Sequence, residues 1–121
     1  PHTIEDKEKD MKHAPCGMIG LESAFALSNT ILQSDGFTIE DVKLVIPHQA
    51  NLRITQTVQK RLGVSDDKIF SNIHKYGNTT AASIGIALSE ALEEGRIKKG
   101  DIVVLASFGA GWYWGSVVIK W

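Results

Sequence analysis

The sequence predicts an α/β domain in which helices flank a mixed, mostly parallel sheet and an antiparallel hairpin ends the chain. Short apolar runs rich in β-branched residues alternate with longer segments of helical periodicity. A glycine follows each helical segment as a C-terminal stop, at Gly36, Gly63 and Gly95. The predicted order is one helix followed by β-α-β-α-β-β, and the right-handed crossover rule favours parallel neighbours among the strands joined by helices.

The N-terminal third contains one predicted helix and the first strand. Residues 1–12 are polar and charged without a sustained apolar period, so we predict irregular structure there. A helix follows from Gly17 to Gln33, where Leu21, Phe25, Ser28 and Leu32 fall near one face. The run from Lys43 to Ile46 predicts a short buried strand that Pro47 stops.

The middle of the chain predicts a second helix and a weaker strand. Leu52, Thr55, Val58 and Leu62 recur at helical spacing, and Gly63 ends this helix. Residues 69–74 are the weaker strand candidate.

The C-terminal part predicts a third helix and a hairpin. The apolar stripe of the helix consists of Ile84, Leu88, Ala91 and Leu92. The run from Asp101 to Ser107 predicts a strand, residues 109–111 a turn, and residues 112–121 an antiparallel return strand.

Composition limits the classes of function. The 121 residues, 43% of them hydrophobic, suffice for one domain with a buried core. With 13 basic and 14 acidic residues, no chain-wide field attracts nucleic acid or a lipid surface. The single Cys16 excludes an internal disulfide, and the absence of a long apolar run or signal pattern favours a cytoplasmic protein that does not enter membranes. We expect no cofactor, and His2 with His13 is too sparse for a metal site.

Two polar motifs follow predicted strands and are the candidate site. His48 directly follows the first strand, and Asn78 precedes the third helix. Because carboxyl ends of parallel strands share one sheet edge, the two side chains are expected to converge there. Two neutral donors on one oxygen form an oxyanion site. The alternative interpretation is a capping or core histidine and a turn asparagine.

Three motifs together resemble the C-terminal half of 3-oxoacyl-(acyl-carrier-protein) synthase III. They are residues 45–54 (VIPHQANLRI), residues 74–83 (HKYGNTTAAS) and residues 107–116 (SFGAGWYWGS), with Ala110 where the family usually has glycine. The resemblance extends from about Phe37 to Trp121 and implies a thiolase-like half-domain, residues 37–121, that takes part in fatty acid biosynthesis.

The resemblance assigns roles to individual residues. His48 and Asn78 match the pair that holds the malonyl thioester oxygen during decarboxylation, and Phe108 matches the phenylalanine beside that site. The helix start that docks acyl carrier protein matches Gln49, Ala50, Asn51, Leu52 and Arg53, with Lys60 and Arg61 adding basic charge. For Lys60 and Arg61, a solvated helix surface is an equal alternative. Acyl carrier protein and malonyl or acyl thioesters are thus the expected partners.

The family's nucleophilic cysteine belongs to its N-terminal half, and Cys16 does not resemble that motif. We therefore expect the chain alone to be inactive in the complete condensation, an acyltransferase reaction. The family's sheet order of 3-2-1-4-5 also implies a central strand before the first helix, and no such strand is evident here. A lone half-domain would expose apolar surface, including Trp112, Trp114 and Trp121, so we expect a homodimer or higher oligomer.

Residues 1–33 instead resemble a segment of dihydroorotase, a zinc amidohydrolase. The likeness lies in the charged start from His2 to Asp10 and in the run from Ala14 to Thr30, without any zinc ligand. The sequence is thus interpreted as a possible chimera, with residues 1–36 as one segment and a join between Gln33 and Leu44. The alternative function is a non-catalytic folded module, from a recombined gene or a design, that retains the motifs.

Overall fold

The computed structural model describes residues 16–109 and 113–121, and the side chains of residues 16–22, 61 and 62 are outside that description. The predictions for residues 1–12 and for Ala110, Gly111 and Trp112 also lie outside the described residues. The helices are α1 (Cys16–Ser34), α2 (Leu52–Leu62), α3 (Ile73–Tyr76) and α4 (Ala82–Glu93); the strands are β1 (Val42–Pro47), β2 (Ile102–Gly109) and β3 (Tyr113–Lys120).

The three strands form one mixed sheet in the order β1-β2-β3. β1 runs parallel to β2, with Val45 opposite Val104 and Pro47 opposite Ala106. β2 and β3 are antiparallel, which confirms the predicted hairpin. The predicted α/β class with a mixed sheet flanked by helices is therefore correct.

Helices cover both faces of the sheet. One core cluster joins α1 and α2 to β1 and β2; its buried members are Ala24, Phe25, Leu32, Val42, Val45, Val58, Ile102, Val104 and Ala106. The opposite cluster joins α4 to the same strands through Leu44, Ile46, Phe70, Ala87, Ala91, Ile97 and Val103. Alternate residues of β2, and of β1 from Leu44 onward, thus point to opposite faces. A register shift between Val42 and Leu44 places Val42 on the same face as Val45. Both faces of these two strands are buried.

Local sequence signals set the limits of α2. Asn51 caps its N-terminus, because the side-chain oxygen accepts a hydrogen bond from the backbone N–H of Arg53 at 2.9 Å. Gly63 ends it in the left-handed conformation, with φ of 66°, as the sequence predicted.

The strand predicted at residues 69–74 is wrong in its extent. Only Ile69 bridges to β1, opposite Val45, and residues 73–76 form the short helix α3. Beyond Phe70 the backbone no longer pairs with β1, because the N–H of Asn72 donates to Gln49 Oε1 at 3.2 Å. A side-chain acceptor thus replaces the strand ladder.

β1 and β2 pair directly, without an intervening strand. The family's order implied a central strand between their counterparts, and its loss would either leave two unpaired edges or bring the flanking strands together. The register from Val42 opposite Ile102 to Pro47 opposite Ala106 shows the second arrangement.

Candidate active site

His48 lies at the carboxyl edge of the sheet, immediately after β1. Its backbone N–H donates to the carbonyl of Ala106 at 2.7 Å, which extends the pairing of β1 with β2 by one residue. The half-buried imidazole therefore starts from a backbone that is held on β2. This is the edge where open parallel sheets present their ligand sites.

Ser83, in the first turn of α4, contacts the imidazole. Its Oγ lies 2.6 Å from His48 Nδ1, and its side chain is 1% exposed. The same oxygen accepts the backbone N–H of Gln49 at 3.3 Å. The hydroxyl thus joins the end of β1 to the start of α4.

Phe108, near the end of β2, also packs against the imidazole. The ring centroids of His48 and Phe108 are 5.7 Å apart with an interplanar angle of 66°, an edge-to-face contact. Burial lowers the pKa of His48 below its ordinary value of 6.5. The imidazole is therefore mainly neutral at neutral pH and can act as an uncharged hydrogen-bond donor or acceptor.

Asn78 lies on the exposed loop between α3 and α4. Its Oδ1 accepts the backbone N–H of Thr80 at 2.9 Å, so the oxygen is used within the loop and the amide Nδ2 remains as the donor. Thr80 has a positive φ of 52°, an unfavourable conformation for a β-branched residue. Gly77, just before Asn78, has φ of 67° and ψ of −157°, a region that only glycine occupies readily.

The two motifs meet through α4 rather than through a direct bond. The N–H of Ser83 donates to the carbonyl of Thr80 at 3.2 Å, so the loop of Asn78 runs into the helix turn that holds His48. Among the described residues, no hydrogen bond joins His48 to Asn78. Each side chain keeps one donor that the described contacts do not require, an imidazole N–H of His48 and the amide Nδ2 of Asn78.

The start of this loop is anchored to α4 by Glu90. Its carboxylate accepts hydrogen bonds from Asn72 Nδ2 at 2.7 Å and from Lys75 Nζ. The hydrogen bond from Lys75, and next the one from Asn72, lower the pKa of Glu90. α3 is thereby tied to α4 through its N-cap residue Asn72 and through Lys75, which fixes the segment that leads to Asn78.

Comparison with known proteins identifies the family. The sequence profile described as 3-oxoacyl-[acyl-carrier-protein (ACP)] synthase III C terminal matches residues 32–121, most of the chain. The chain belongs to this family. Its His48, Asn78 and Phe108 all fall within the matched part.

Individual relatives agree with this assignment. The chain is 50% identical over 120 residues to beta-ketoacyl-[acyl-carrier-protein] synthase III of Desulfotalea psychrophila, covering 99% of this chain and 35% of that protein. It is 55% identical over 96 residues to the synthase III of Roseiflexus castenholzii, covering 79% and 29% respectively. The crystal structure of the synthase III from Aquifex aeolicus VF5 matches with a TM-score of 0.79 at 42% identity, over 87% of this chain and 33% of that one.

The chain thus spans about a third of the length of these synthase III relatives. The alignment with the Desulfotalea protein also runs through the N-terminal segment, residues 1–36. The division of the chain into a dihydroorotase-like segment and a synthase domain therefore stays a prediction.

The docking residues that the synthase III resemblance assigned fall into two groups. Arg53 and Lys60 are exposed, Leu52 is 41% exposed, Ala50 is half-buried, and Asn51 is exposed while capping α2. Arg61 belongs to α2, but its side chain is outside the described part. A basic face on α2 is therefore available through Arg53 and Lys60.

Gln49 does not belong to that face. It is 2% exposed, and its amide donates to the carbonyl of Pro47 at 2.7 Å while its Oε1 accepts from Ser71 Oγ at 2.8 Å. The side chain is directed into the protein rather than toward a partner, because the amide joins β1 to the 70–72 segment.

Sequence reasoning missed Ser83 as a member of the site. Ser83 closes the second of the three synthase motifs, HKYGNTTAAS, and its position one residue into α4 was a usable signal. The contact with His48 spans 35 residues of sequence, and only the packing of α4 on the sheet brings the two together.

None of the described helices has the length and apolarity that a membrane crossing requires. Within the same described residues, no group of three His, Cys, Asp or Glu side chains is placed to hold a metal ion.

Proposed function

We propose that this chain carries the oxyanion half of a 3-oxoacyl-(acyl-carrier-protein) synthase III active site. In this role, His48 Nε2–H and Asn78 Nδ2–H donate to the thioester oxygen of a malonyl group carried on acyl carrier protein. The observation that supports it most is that His48 contacts both Ser83 and Phe108 at the carboxyl edge of the sheet, where the loop of Asn78 runs into α4.

The proposed step is decarboxylation. The bond between the malonyl methylene carbon and its carboxylate breaks, CO₂ leaves, and the electron pair passes into the thioester as an enolate. The negative charge collects on the thioester oxygen, where two neutral donors stabilise it more strongly than they stabilise the ground state. Protonation of the carbon by water then yields the acetyl thioester.

The size of the effect follows from oxyanion sites in general. Removing one donor typically lowers the rate by about 10²–10³-fold, or about 2.7–4 kcal/mol. A neutral imidazole suits this role, and the lowered pKa of His48 supports it.

The complete condensation needs an acyl-enzyme nucleophile, and we propose that Cys16 does not supply one. Cys16 is the first residue of α1 and the sole cysteine, and its setting in residues 14–17 (APCG) does not resemble the family's nucleophile motif. Turnover of a short acyl-coenzyme A primer with malonyl-acyl carrier protein by this chain alone would contradict this part of the proposal.

The proposed macromolecular partner is acyl carrier protein, bound at the start of α2. Arg53 and Lys60 are exposed on this helix, and the helix begins directly beside His48. A basic face next to the site suits an acidic carrier whose thioester arm must reach the imidazole.

The deciding experiment measures malonyl-acyl carrier protein decarboxylation by the purified chain. His48→Ala and Asn78→Ala are compared with two matched controls on exposed positions, His74→Ala on α3 and Asn29→Ala on α1. We expect both site variants to lose activity by at least about 10²-fold and both controls to retain it. Absence of decarboxylation in the folded parent chain would contradict the proposed function.

A second candidate is a folded module without catalysis, formed by joining a dihydroorotase-like segment, residues 1–36, to the synthase domain. The direct pairing of β1 with β2 favours it, because it departs from the strand order that the resemblance implied. The module also fits a chain that self-associates through exposed Tyr113, Trp114 and Val117 on β3. A monodisperse monomer at micromolar concentration in light scattering would contradict self-association.

A further inference from the structure

Ser83 is a buried hydroxyl whose hydrogen-bond partners fix its own orientation. A serine hydroxyl has one proton to donate and two lone pairs to accept with. Its Oγ accepts the backbone N–H of Gln49 at 3.3 Å, and that group can act only as a donor. The proton of the hydroxyl must therefore find another acceptor.

The acceptor within reach is His48 Nδ1, at 2.6 Å. If Nδ1 carried a proton, Ser83 Oγ would accept two hydrogen bonds and its own proton would have no partner among the described residues. An unpaired polar group in a site that is 1% exposed is unfavourable, so Nδ1 is the acceptor.

We propose that Ser83 is a positioning residue that holds His48 in the tautomer with its proton on Nε2. This inference deepens the proposed function and rests on it, because only an Nε2–H can donate to a thioester oxygen from the side of the ring opposite Ser83. A histidine with its proton on Nδ1 would present a lone pair to the developing oxyanion and repel it.

The surroundings of the imidazole agree with a fixed neutral ring. Phe108 packs edge-to-face against it, and the backbone of His48 is held on Ala106. Burial is the cause that lowers the pKa of His48, and no charged group contributes to that shift. The hydrogen bonds at Ser83 Oγ therefore select the tautomer, and burial selects the neutral form of the ring.

The test reads the tautomer directly and needs no turnover. ¹⁵N ring resonances of His48 are recorded in the full chain at a pH well above 6.5, where the ring is neutral. Parent chain, Ser83→Ala and Ser83→Thr are compared, and Ser28→Ala is the control because Ser28 is another buried helix serine, bonded to the Ala24 carbonyl of its own helix.

We expect a single Nε2–H tautomer in the parent chain, in Ser28→Ala and in Ser83→Thr, which keeps the hydroxyl. Ser83→Ala should show a mixture of the two tautomers. An Nδ1–H tautomer in the parent chain, or an unchanged tautomer in Ser83→Ala, would overturn the inference. If Ser83→Ala does not fold, the parent chain's tautomer together with Ser83→Thr decides.

This readout separates the two proposals. A fixed Nε2–H tautomer in a chain without decarboxylation leaves the positioning role intact and rejects the proposed function. Decarboxylation in a chain whose His48 shows both tautomers would support the proposed function and reject the positioning role of Ser83.

Discussion

Gln49 Oε1 accepts a hydrogen bond from Ser71 Oγ at 2.8 Å, and this contact joins the end of β1 to the segment that leads to Asn78. The same amide also contacts the carbonyl of Pro47 and the N–H of Asn72. The residue after the candidate catalytic histidine is thus a structural link between the two motifs. The position of Gln49 in the motif did not reveal whether its side chain lies in the interior or docks a partner.

Replacing Gln49 by alanine should lower the stability of the fold. The change leaves the N–H of Asn72 and the carbonyl of Pro47 buried without their partner, at a cost of about 1–3 kcal/mol in the free energy of unfolding. Urea unfolding measures this cost. Gln33→Ala, at an exposed position of α1, is the control and should have little effect. Equal stability of the two variants would show that the buried amide is dispensable.

Replacement by alanine should change the stability of the chain in opposite directions at Gly77 and at Gly85. Gly77 has φ of 67° and ψ of −157°, so Gly77→Ala should destabilise the chain by about 1–3 kcal/mol through backbone strain. Gly85 lies inside α4 without a positive φ, so Gly85→Ala should stabilise it by about 0.5–1 kcal/mol. A Cβ at either position has open space, so crowding does not enter the comparison. Chemical denaturation of both variants is the measurement, and shifts of the same sign would contradict the assigned conformations.

Acid should weaken the fold through His48. Burial lowers the native pKa of His48 below its ordinary 6.5, so the unfolded chain binds this proton first as the pH falls. The free energy of unfolding should therefore decline below pH 6.5, down to the native pKa, and this contribution should be constant above 6.5. Stability is measured against pH for the parent chain and for His48→Gln, with His74→Gln as the exposed control.

The difference between parent and His48→Gln is the readout, because other titrating groups cancel in it. It should shrink as the pH falls below 6.5. A pH-independent difference for His48→Gln would mean that the imidazole titrates alike in folded and unfolded chains.

Local signals predicted the helices and strands well. Gly63 ends α2 in the left-handed conformation, and α1 extends the predicted helix by one residue at each end, to Cys16–Ser34. The extent of a helix could be predicted because its apolar periodicity and its stop residue both lie in the same short stretch of sequence. The error at residues 69–74 has the opposite origin, since the acceptor that ends the strand is the side chain of Gln49, far away in sequence.

In the candidate site, too, the sequence predicted the residues that local motifs identify and missed the one that depends on a distant contact. His48, Asn78 and Phe108 were found because each lies in a recognisable motif at the end of a strand or loop. Ser83 was missed because its role depends on a contact across the packed helix α4. The sequence also did not decide whether β1 and β2 pair directly, because the neighbours of a strand depend on the whole sheet.

Charge reversal at Arg53 should weaken binding of acyl carrier protein. Arg53 is exposed at the start of α2, on the carboxyl edge of the sheet where His48 lies. Lys99 is equally exposed but precedes β2, at the opposite edge, because β1 and β2 are parallel. Arg53→Glu should therefore raise the dissociation constant several-fold at low salt, while Lys99→Glu should leave it nearly unchanged.

Titration of the carrier by fluorescence anisotropy at two ionic strengths tests this placement. The effect of Arg53→Glu should fall as salt rises, because exposed charges are screened over about 8–10 Å at physiological ionic strength. Equal losses for Arg53→Glu and Lys99→Glu would point to attraction by overall charge, and would remove the start of α2 from the proposed docking face.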